Sequence, residues 1–459
     1  MSIIDTFKRT VRWRYRLMPL PLSYGREFRD KAVFLHESQQ FSPAQLQQYT
    51  WRRLTALIQF AYDNTEFYRE LFDRVGCDPR DIKTPADYLR LPTIDRQVVR
   101  ENLERMTPRN LAATHPIPTV TSGTTGYPLK LYRSRSLEAL RKAVVWRHYN
   151  ACGYFFKEPR VTLGRPLDFP QKHQYRHEDL LENNLFLNSF HLNPNDFRHI
   201  YDGLAEWNAK MLVGHPSALY TFCLQAERAG LPPIRIPIVY SYSEKLYPHY
   251  IAKFSEFFGA RVFDYYGNRE NTIAVTQQPC GSYHINSEFG YVEFVANGKH
   301  VDSGSAGSII TTSLENYSTP LLRYDTGDLG KSLGQCSKCS LPHPTMEILG
   351  GRGKDILVTR DGFISCHIDT YLNRNGFQGA DYVQVVQKQI DRIIVRILPN
   401  AKYSAPRDRD HLKRLAFDCL SGYFEVDVEI LDSPPFTEAG KMPCVVSELS
   451  RSQSPENRQ

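Results

Sequence analysis

Between residues 42 and 312, stretches with apolar residues three and four apart alternate with short runs of β-branched and aromatic residues, which few folds accommodate. Ser42 is a candidate N-cap with Pro43 at the first helical position. Leu46, Leu54, Leu57, Ile58 and Ala61 then recur at helical spacing, and Gly76 is a fitting terminator. Further helical patterns cover 136–149, 216–230 and 247–258, with strand-like runs at 161–163, 236–240, 261–265, 290–294 and 308–312. Interleaving of this kind predicts an α/β fold, sheets flanked by helices. Past Gly351 the pattern changes to strands at 382–387 and 390–398, a helix at 409–420 and a strand at 426–431. A chain of 459 residues is too long for one core. The expectation is a large, multi-layered unit over residues 1–353 and a small, mobile α+β unit over 354–459.

Composition narrows the class. Charged residues are 23% and aromatics 12%, which excludes wholesale disorder. No run reaches the roughly 18–20 apolar residues that span a bilayer. The opening residues lack the apolar core of a secretory signal, so a cytoplasmic location is expected. Nine scattered cysteines fit reduced thiols and one metal site better than a disulfide framework. A net charge of +7 suits anionic ligands without arguing for nucleic acid. Lys8, Arg9, Arg12, Arg14 and Arg16 interleave with Phe7, Trp13, Tyr15 and Leu17. Such a segment either packs on the domain with its charges in water or rests peripherally on the anionic inner membrane surface.

The sharpest local feature is Thr121-Ser122-Gly123-Thr124-Thr125-Gly126, followed by Tyr127, Pro128, Leu129 and Lys130. Two glycines let the backbone curl close to an anion, and hydroxyls and N–H groups there donate to phosphate oxygens. Only two residues separate the glycines, so this is not a Walker loop. A plain turn of small residues is the alternative.

The segment resembles the phosphate loop of the acyl-adenylate-forming superfamily, which includes acyl-CoA synthetases, luciferases and peptide-synthetase adenylation domains. Five further stretches resemble the superfamily's motifs in order. Ser243-Glu244 falls where a loop lies against adenine. Asp264-Tyr265-Tyr266-Gly267-Asn268-Arg269-Glu270 is similar to YGxTE. The resemblance implies that Tyr266 stacks on adenine and Glu270 holds Mg²⁺, with Arg269 in place of the usual threonine. In Arg323-Tyr324-Asp325-Thr326-Gly327-Asp328, similar to RYxTGD, Asp328 takes the ribose hydroxyls. Gly351-Arg352-Gly353-Lys354-Asp355 resembles the hinge, with Arg352 at ribose or phosphate and Lys354 as pivot. Thr437-Glu438-Ala439-Gly440-Lys441 resembles TxxGK, which implies that Lys441 reaches carboxylate and α-phosphate. Taken singly, these have plain readings: Arg323 and Asp328 as a surface ion pair, Lys441 as a solvated lysine. Their order over some 320 residues is what argues for the superfamily.

The stretch from Gln48 to Ile94 is similar to the phenylacetate–CoA ligase branch, and within it to CapK-like proteins associated with surface polysaccharides. Cys280 and His284 precede Cys336 and Cys339, a C-x₃-H and a C-x₂-C pair that together suit a closed, structural zinc site. Three unrelated thiols and a histidine are the alternative, because the pairs lie more than 50 residues apart. The resemblance directs the acyl pocket to His191, His215 and Tyr242, without specifying the acid. Residues 357–365 match the thiolation segment of CoA ligases weakly.

The expected reaction is ATP-dependent adenylation of a small carboxylic acid, with release of pyrophosphate, then acyl transfer and release of AMP. A carboxylate is ionised at pH 7 and needs no general base. The acceptor is CoA, a carrier thiol or a glycan precursor. The rivals are a phenylacetate–CoA-ligase-like enzyme making a thioester and a silent nucleotide-binding scaffold of a polysaccharide assembly.

Overall fold

The computed structural model describes residues 24–120, 129–164, 174–189, 192, 197–351, 356–359, 362–365, 372, 377–420, 424–433, 435 and 443–449. The first helices are α1 (Arg26–Ser38), α2 (Pro43–Asn64) and α3 (Glu66–Val75). Ser42 and Gln45 close a capping box on α2, with Pro43 in the first turn. The expected single helix up to Gly76 is two helices. Thr65 turns extended, at φ −121 and ψ 145, and its hydroxyl caps α3 by accepting from Tyr68 N. The hydroxyl offers the backbone an alternative to continuing the helix. Gly76 ends α3 at φ 61, left-handed space that costs glycine little. After α4 (Arg96–Met106), strands β1 (Pro116–Val120) and β2 (Lys130–Ser134) pair antiparallel and lead into α5 (Arg135–Cys152).

A thirteen-stranded sheet carries the rest of the larger unit. Its α/β half contains β3 (Arg160–Gly164), β4 (Arg176–Asp179), β5 (Asn184–Asn188), β6 (Met211–Gly214), β7 (Ile238–Tyr242) and β8 (Arg261–Gly267). Strands β5, β3, β6, β7 and β8 lie side by side and parallel. Every residue of β3 and β6 is buried, as expected for strands covered on both faces. Helices α6 (Phe197–Glu206), α7 (Pro216–Arg228) and α8 (Pro248–Phe258) cover one face, on Leu163, Leu212 and Val239. Helices α1 and α5 cover the other, on Val213, Tyr240 and Phe263. Strand β7 begins at Ile238, two residues later than expected, because Pro237 lacks the N–H a ladder needs. The antiparallel half contains β9 (Ala274–Gln277), β10 (Tyr283–Ile285), β11 (Gly290–Ala296), β12 (Lys299–His300), β13 (Gly307–Ser313), β14 (Tyr324–Gln335) and β15 (Pro344–Gly351).

After the hairpin β16 (Ile356–Thr359) and β17 (Gly362–Ser365), a separate four-stranded sheet is ordered β20-β19-β18-β21. Its strands are β18 (Ala380–Gln389), β19 (Arg392–Pro399), β20 (Glu425–Ile430) and β21 (Val445–Ser447). Helix α9 (Arg407–Cys419) packs on it through Leu412, Leu415 and Ala416, a core of its own. This is the α+β pattern expected after Gly351. Among the described residues no helix is long and apolar enough to cross a membrane.

Candidate functional site

Parallel strands open a crevice where they end and where their order reverses. Here β3 is flanked by β5 on one side and β6 on the other, and Gly164, Gly214, Tyr242 and Gly267 end their strands. His215, just past β6, is 1% exposed and its ring centroid lies 4.9 Å from that of Tyr242. Ser243 follows at φ 69, and Glu244 Oε2 accepts from Ser217 N at the start of α7 at 3.0 Å. That bond fixes Glu244 to the helix that bounds the crevice.

Two motifs far apart in sequence meet at the end of β8. Tyr266 O–H donates to Asp328 Oδ2 at 2.8 Å. Burial and the Asp328 carboxylate push the Tyr266 phenol well up, so it stays a donor. Tyr324 O–H donates to Glu270 Oε1 at 3.0 Å, and Glu270 is 7% exposed. Local turn chemistry sets both carboxylates. Asn268 Oδ1 accepts from Thr272 N at 2.9 Å while Asn271 takes φ 55, a conformation asparagine tolerates, and the turn between them carries Arg269 and Glu270. In β14 the register against β13 slips between Asp325 and Leu329. Within that excursion Gly327 N donates to Asp325 Oδ1 at 2.8 Å, and Gly327 at φ 74 allows the turn that presents Asp328.

Arg323 and Asp328 are not a surface ion pair. Arg323 is 3% exposed, its Nε donates to Glu293 Oε2 at 3.2 Å, and its Nη1 reaches Leu89 O at 3.0 Å. It ties β14 to the helical segment before Ile94. Lys130 is exposed on β2. Thr121, Ser122, Gly123, Thr124, Thr125 and Gly126 lie outside the described residues, as do His191, Arg352, Lys354, Lys441 and the basic N-terminal segment.

Cys280 follows β9, His284 lies in β10, and Cys336 and Cys339 join β14 to β15. Pairing of β10 with β15 brings the two halves together, and the four ligand atoms lie within 4.8 Å of one another. His284 Nε2 is 3.5 Å from Cys280 Sγ and 3.6 Å from Cys339 Sγ, and the Cys280 and Cys336 sulfurs are 4.0 Å apart. A tetrahedral ion with Zn–S of about 2.3 Å and Zn–N of about 2.0 Å holds its ligand atoms roughly 3.5–3.8 Å apart, so this set fits. Burial, with His343 beside it, holds the His284 imidazole down to about 4, neutral as a ligand must be. The same His343 bonds the fully buried Glu288 at 2.9 Å, and Arg147 Nη1 donates to that carboxylate at 2.9 Å. The cysteine loop is thereby braced against α5.

One cluster next to the β8 turn is not assigned by any motif. Glu138 Oε2 accepts from Arg133 Nη1 at 2.9 Å and from Arg141 Nε at 3.0 Å, and Oε1 from Arg141 Nη2 at 2.6 Å. Arg133 Nε donates to Thr119 Oγ1 at 2.6 Å, and the Asn271 amide oxygen faces Arg133 Nε and Nη1 at 3.2 Å. The Glu138–Arg141 spacing of three on a helix is its only sequence signal.

No family model matches the chain. The phenylacetate–coenzyme A ligase of Thermus thermophilus is 24% identical over 332 residues, 67% of this chain and 70% of that protein. Protein CapK of Staphylococcus aureus is 22% identical over 415 residues, 87% and 88% of the two chains. A solved 2-hydroxyisobutyryl-CoA ligase, in the postadenylation state with an acyl-AMP, superposes with a TM-score of 0.71 at 18% identity, covering 90% of this chain and 91% of that one.

Proposed function

We infer that this chain, which belongs to the acyl-adenylate-forming superfamily in its phenylacetate–CoA ligase-like branch, is an AMP-forming ligase that activates a carboxylic acid with ATP and hands the acyl group to a thiol. The observation that carries this reading is the meeting of Tyr266 with Asp328 and of Glu270 with Tyr324, at the end of strand β8. An aromatic face, a carboxylate suited to a diol and a carboxylate suited to a hard cation are what adenine, ribose and Mg²⁺ ask for.

In this reading Tyr266 stacks on adenine and Asp328 accepts from the ribose hydroxyls. Glu270, together with the Thr121–Gly126 loop, serves the magnesium-bound phosphates. The ionised substrate carboxylate attacks the α-phosphorus and pyrophosphate leaves. Lys441 faces the forming acyl-phosphate, and rotation about Lys354, at the boundary between residues 1–353 and 354–459, withdraws it for transfer. The acyl group lies toward His215 and Tyr242. CoA is the favoured acceptor because the relatives at 24% and 22% identity include CoA ligases. A glycan precursor is the second acceptor, supported by the likeness to CapK over 87% of the chain. Zinc at Cys280, His284, Cys336 and Cys339 is structural, since four protein ligands leave no open position for chemistry.

The test is ATP–pyrophosphate exchange over a panel of aryl and short aliphatic acids. At least one acid should drive exchange, and CoA should then convert the acyl-AMP to a thioester with release of AMP. Absence of exchange with every acid, from a protein that still binds ATP, would remove the adenylation reading. Exchange without CoA-dependent AMP release would favour the glycan acceptor.

A further inference from the structure

Glu138 has one negative charge and both of its oxygens are occupied, by two guanidiniums. Arg269, two residues before Asn271 in the same turn, lies near enough to Arg133 for the two charges to repel. Two guanidiniums thus share one carboxylate, with a third beside Arg133. The side chains are mostly withdrawn from water, with Arg133 16%, Glu138 20% and Arg141 33% exposed. Like charges held together at such burial are unfavourable unless an anion joins them. Burial and the neighbouring Arg141 and Arg269 act to lower Arg133 from its usual range, against the pull of Glu138.

Placement says which anion. Thr119, which accepts from Arg133, stands two residues before Thr121 at the start of the hydroxyl-rich loop. Asn271 and Arg269 flank Glu270. The cluster therefore borders the end of the site where the phosphates of the proposed nucleotide lie, not the Tyr266–Asp328 end. We propose that Arg133, Arg141 and Arg269 form a clamp for the β- and γ-phosphates of ATP and for the pyrophosphate that departs, a proposal that rests on the adenylation reading. Thr119, Asn271 and Glu138 hold the forks in place before the ligand arrives, so little ordering cost remains on binding. Planar guanidinium forks match the paired oxygens of a phosphate.

The chemistry gives the clamp its value. A carboxylate oxygen forms the new bond to the α-phosphorus. The bond from that phosphorus to the bridging oxygen of the β-phosphate breaks, and its electron pair leaves with pyrophosphate. No proton moves, and negative charge grows on the leaving group, where fixed cations stabilise it most. Arg269 adds a charge at a position where the superfamily motif carries neutral threonine.

The full-length protein and its Arg141→Gln and Arg269→Ala variants are titrated calorimetrically with magnesium pyrophosphate, MgATP and AMP. The proposal expects each variant to bind pyrophosphate and ATP about tenfold more weakly, the loss of one charge-assisted contact, while AMP affinity holds within about twofold. Arg269 is exposed, so its variant keeps the fold if Arg141→Gln does not. Wild-type affinity for pyrophosphate in Arg269→Ala, and in Arg141→Gln where it folds, overturns the clamp. Equal weakening of AMP overturns it too, as does selective loss of dicarboxylic acids in the exchange assay with pyrophosphate binding intact, which would make the cluster a substrate-carboxylate site. A wild-type protein that binds neither ATP nor AMP overturns the adenylation reading together with the clamp. One that binds AMP but not pyrophosphate overturns the clamp alone.

Discussion

Asp264 opens the proposed nucleotide motif on β8 at 5% exposure, accepting from Ser241 Oγ and, at 2.9 Å, from Tyr283 O–H. Burial outweighs both hydrogen bonds and pushes its carboxyl up to about 6. The folded state therefore holds this proton more tightly than the unfolded chain. The stability it contributes is complete below about pH 4 and is lost as pH rises through about 6. Above that the buried charge costs on the order of 1–3 kcal/mol. Asp264→Asn should accordingly raise stability at pH 7.5 and much less at pH 5, as measured by urea unfolding at both. No difference between the two pH values would show that the carboxyl is not strained. At the same motif, Asp328→Asn should raise KM for ATP about tenfold or more. Tyr266→Phe, which keeps the ring and loses one hydrogen bond, should cost roughly threefold to tenfold. Steady-state kinetics with the best acid reads both.

At the scale of elements, the β14–β15 connection is tied down by residues distant in sequence. Its cysteines meet His284 only because β10 pairs with β15, and Glu288 fixes His343 from the far side. Metal analysis should find one zinc per chain. Cys339→Ser should release it and lower stability by about 2 kcal/mol or more, several degrees in Tm, because binding free energy at such a site is folding free energy. A wild-type protein without zinc, and an unchanged Tm in that variant, would leave the cluster as three unrelated thiols and a histidine. The Asn268–Thr272 turn and the Gly327 excursion of β14 are the two other devices that matter, since each aims a carboxylate into the site.

At the scale of the molecule, two contacts among the described residues join the four-stranded unit to the larger one at α7. Arg228 of α7 pairs with Asp381 of β18, and Cys444 packs against the α7–α8 cluster near Tyr220 and Tyr250. Asp381 is the more buried partner, so removing Arg228 leaves a carboxylate uncompensated. Arg228→Ala should loosen the small unit, seen as faster proteolysis between residues 352 and 376 with the sheet cores intact. Unchanged cleavage would mean the pair does not latch the units. Lys441→Ala should lower pyrophosphate exchange by two orders of magnitude or more while leaving Tm and ATP binding near wild type.

The alternation of helical and strand periods, the α+β change after Gly351, the ordered motifs and the Cys-His spacing were all readable along the chain, because each is written in residues a few positions apart. The sequence alone therefore determined the fold class and the residue types at the proposed nucleotide site. Tertiary structure alone decided that Arg323 is buried on Glu293, that Tyr266 bonds Asp328 and that Arg133, Arg141 and Glu138 gather beside Asn271. Strand order in the thirteen-stranded sheet brings Glu270 to Tyr324 and Tyr266 to Asp328, 54 and 62 positions away, and burial then decides which polar groups must find partners. Periodicity carries no record of that order, so it emerges only when the whole core packs.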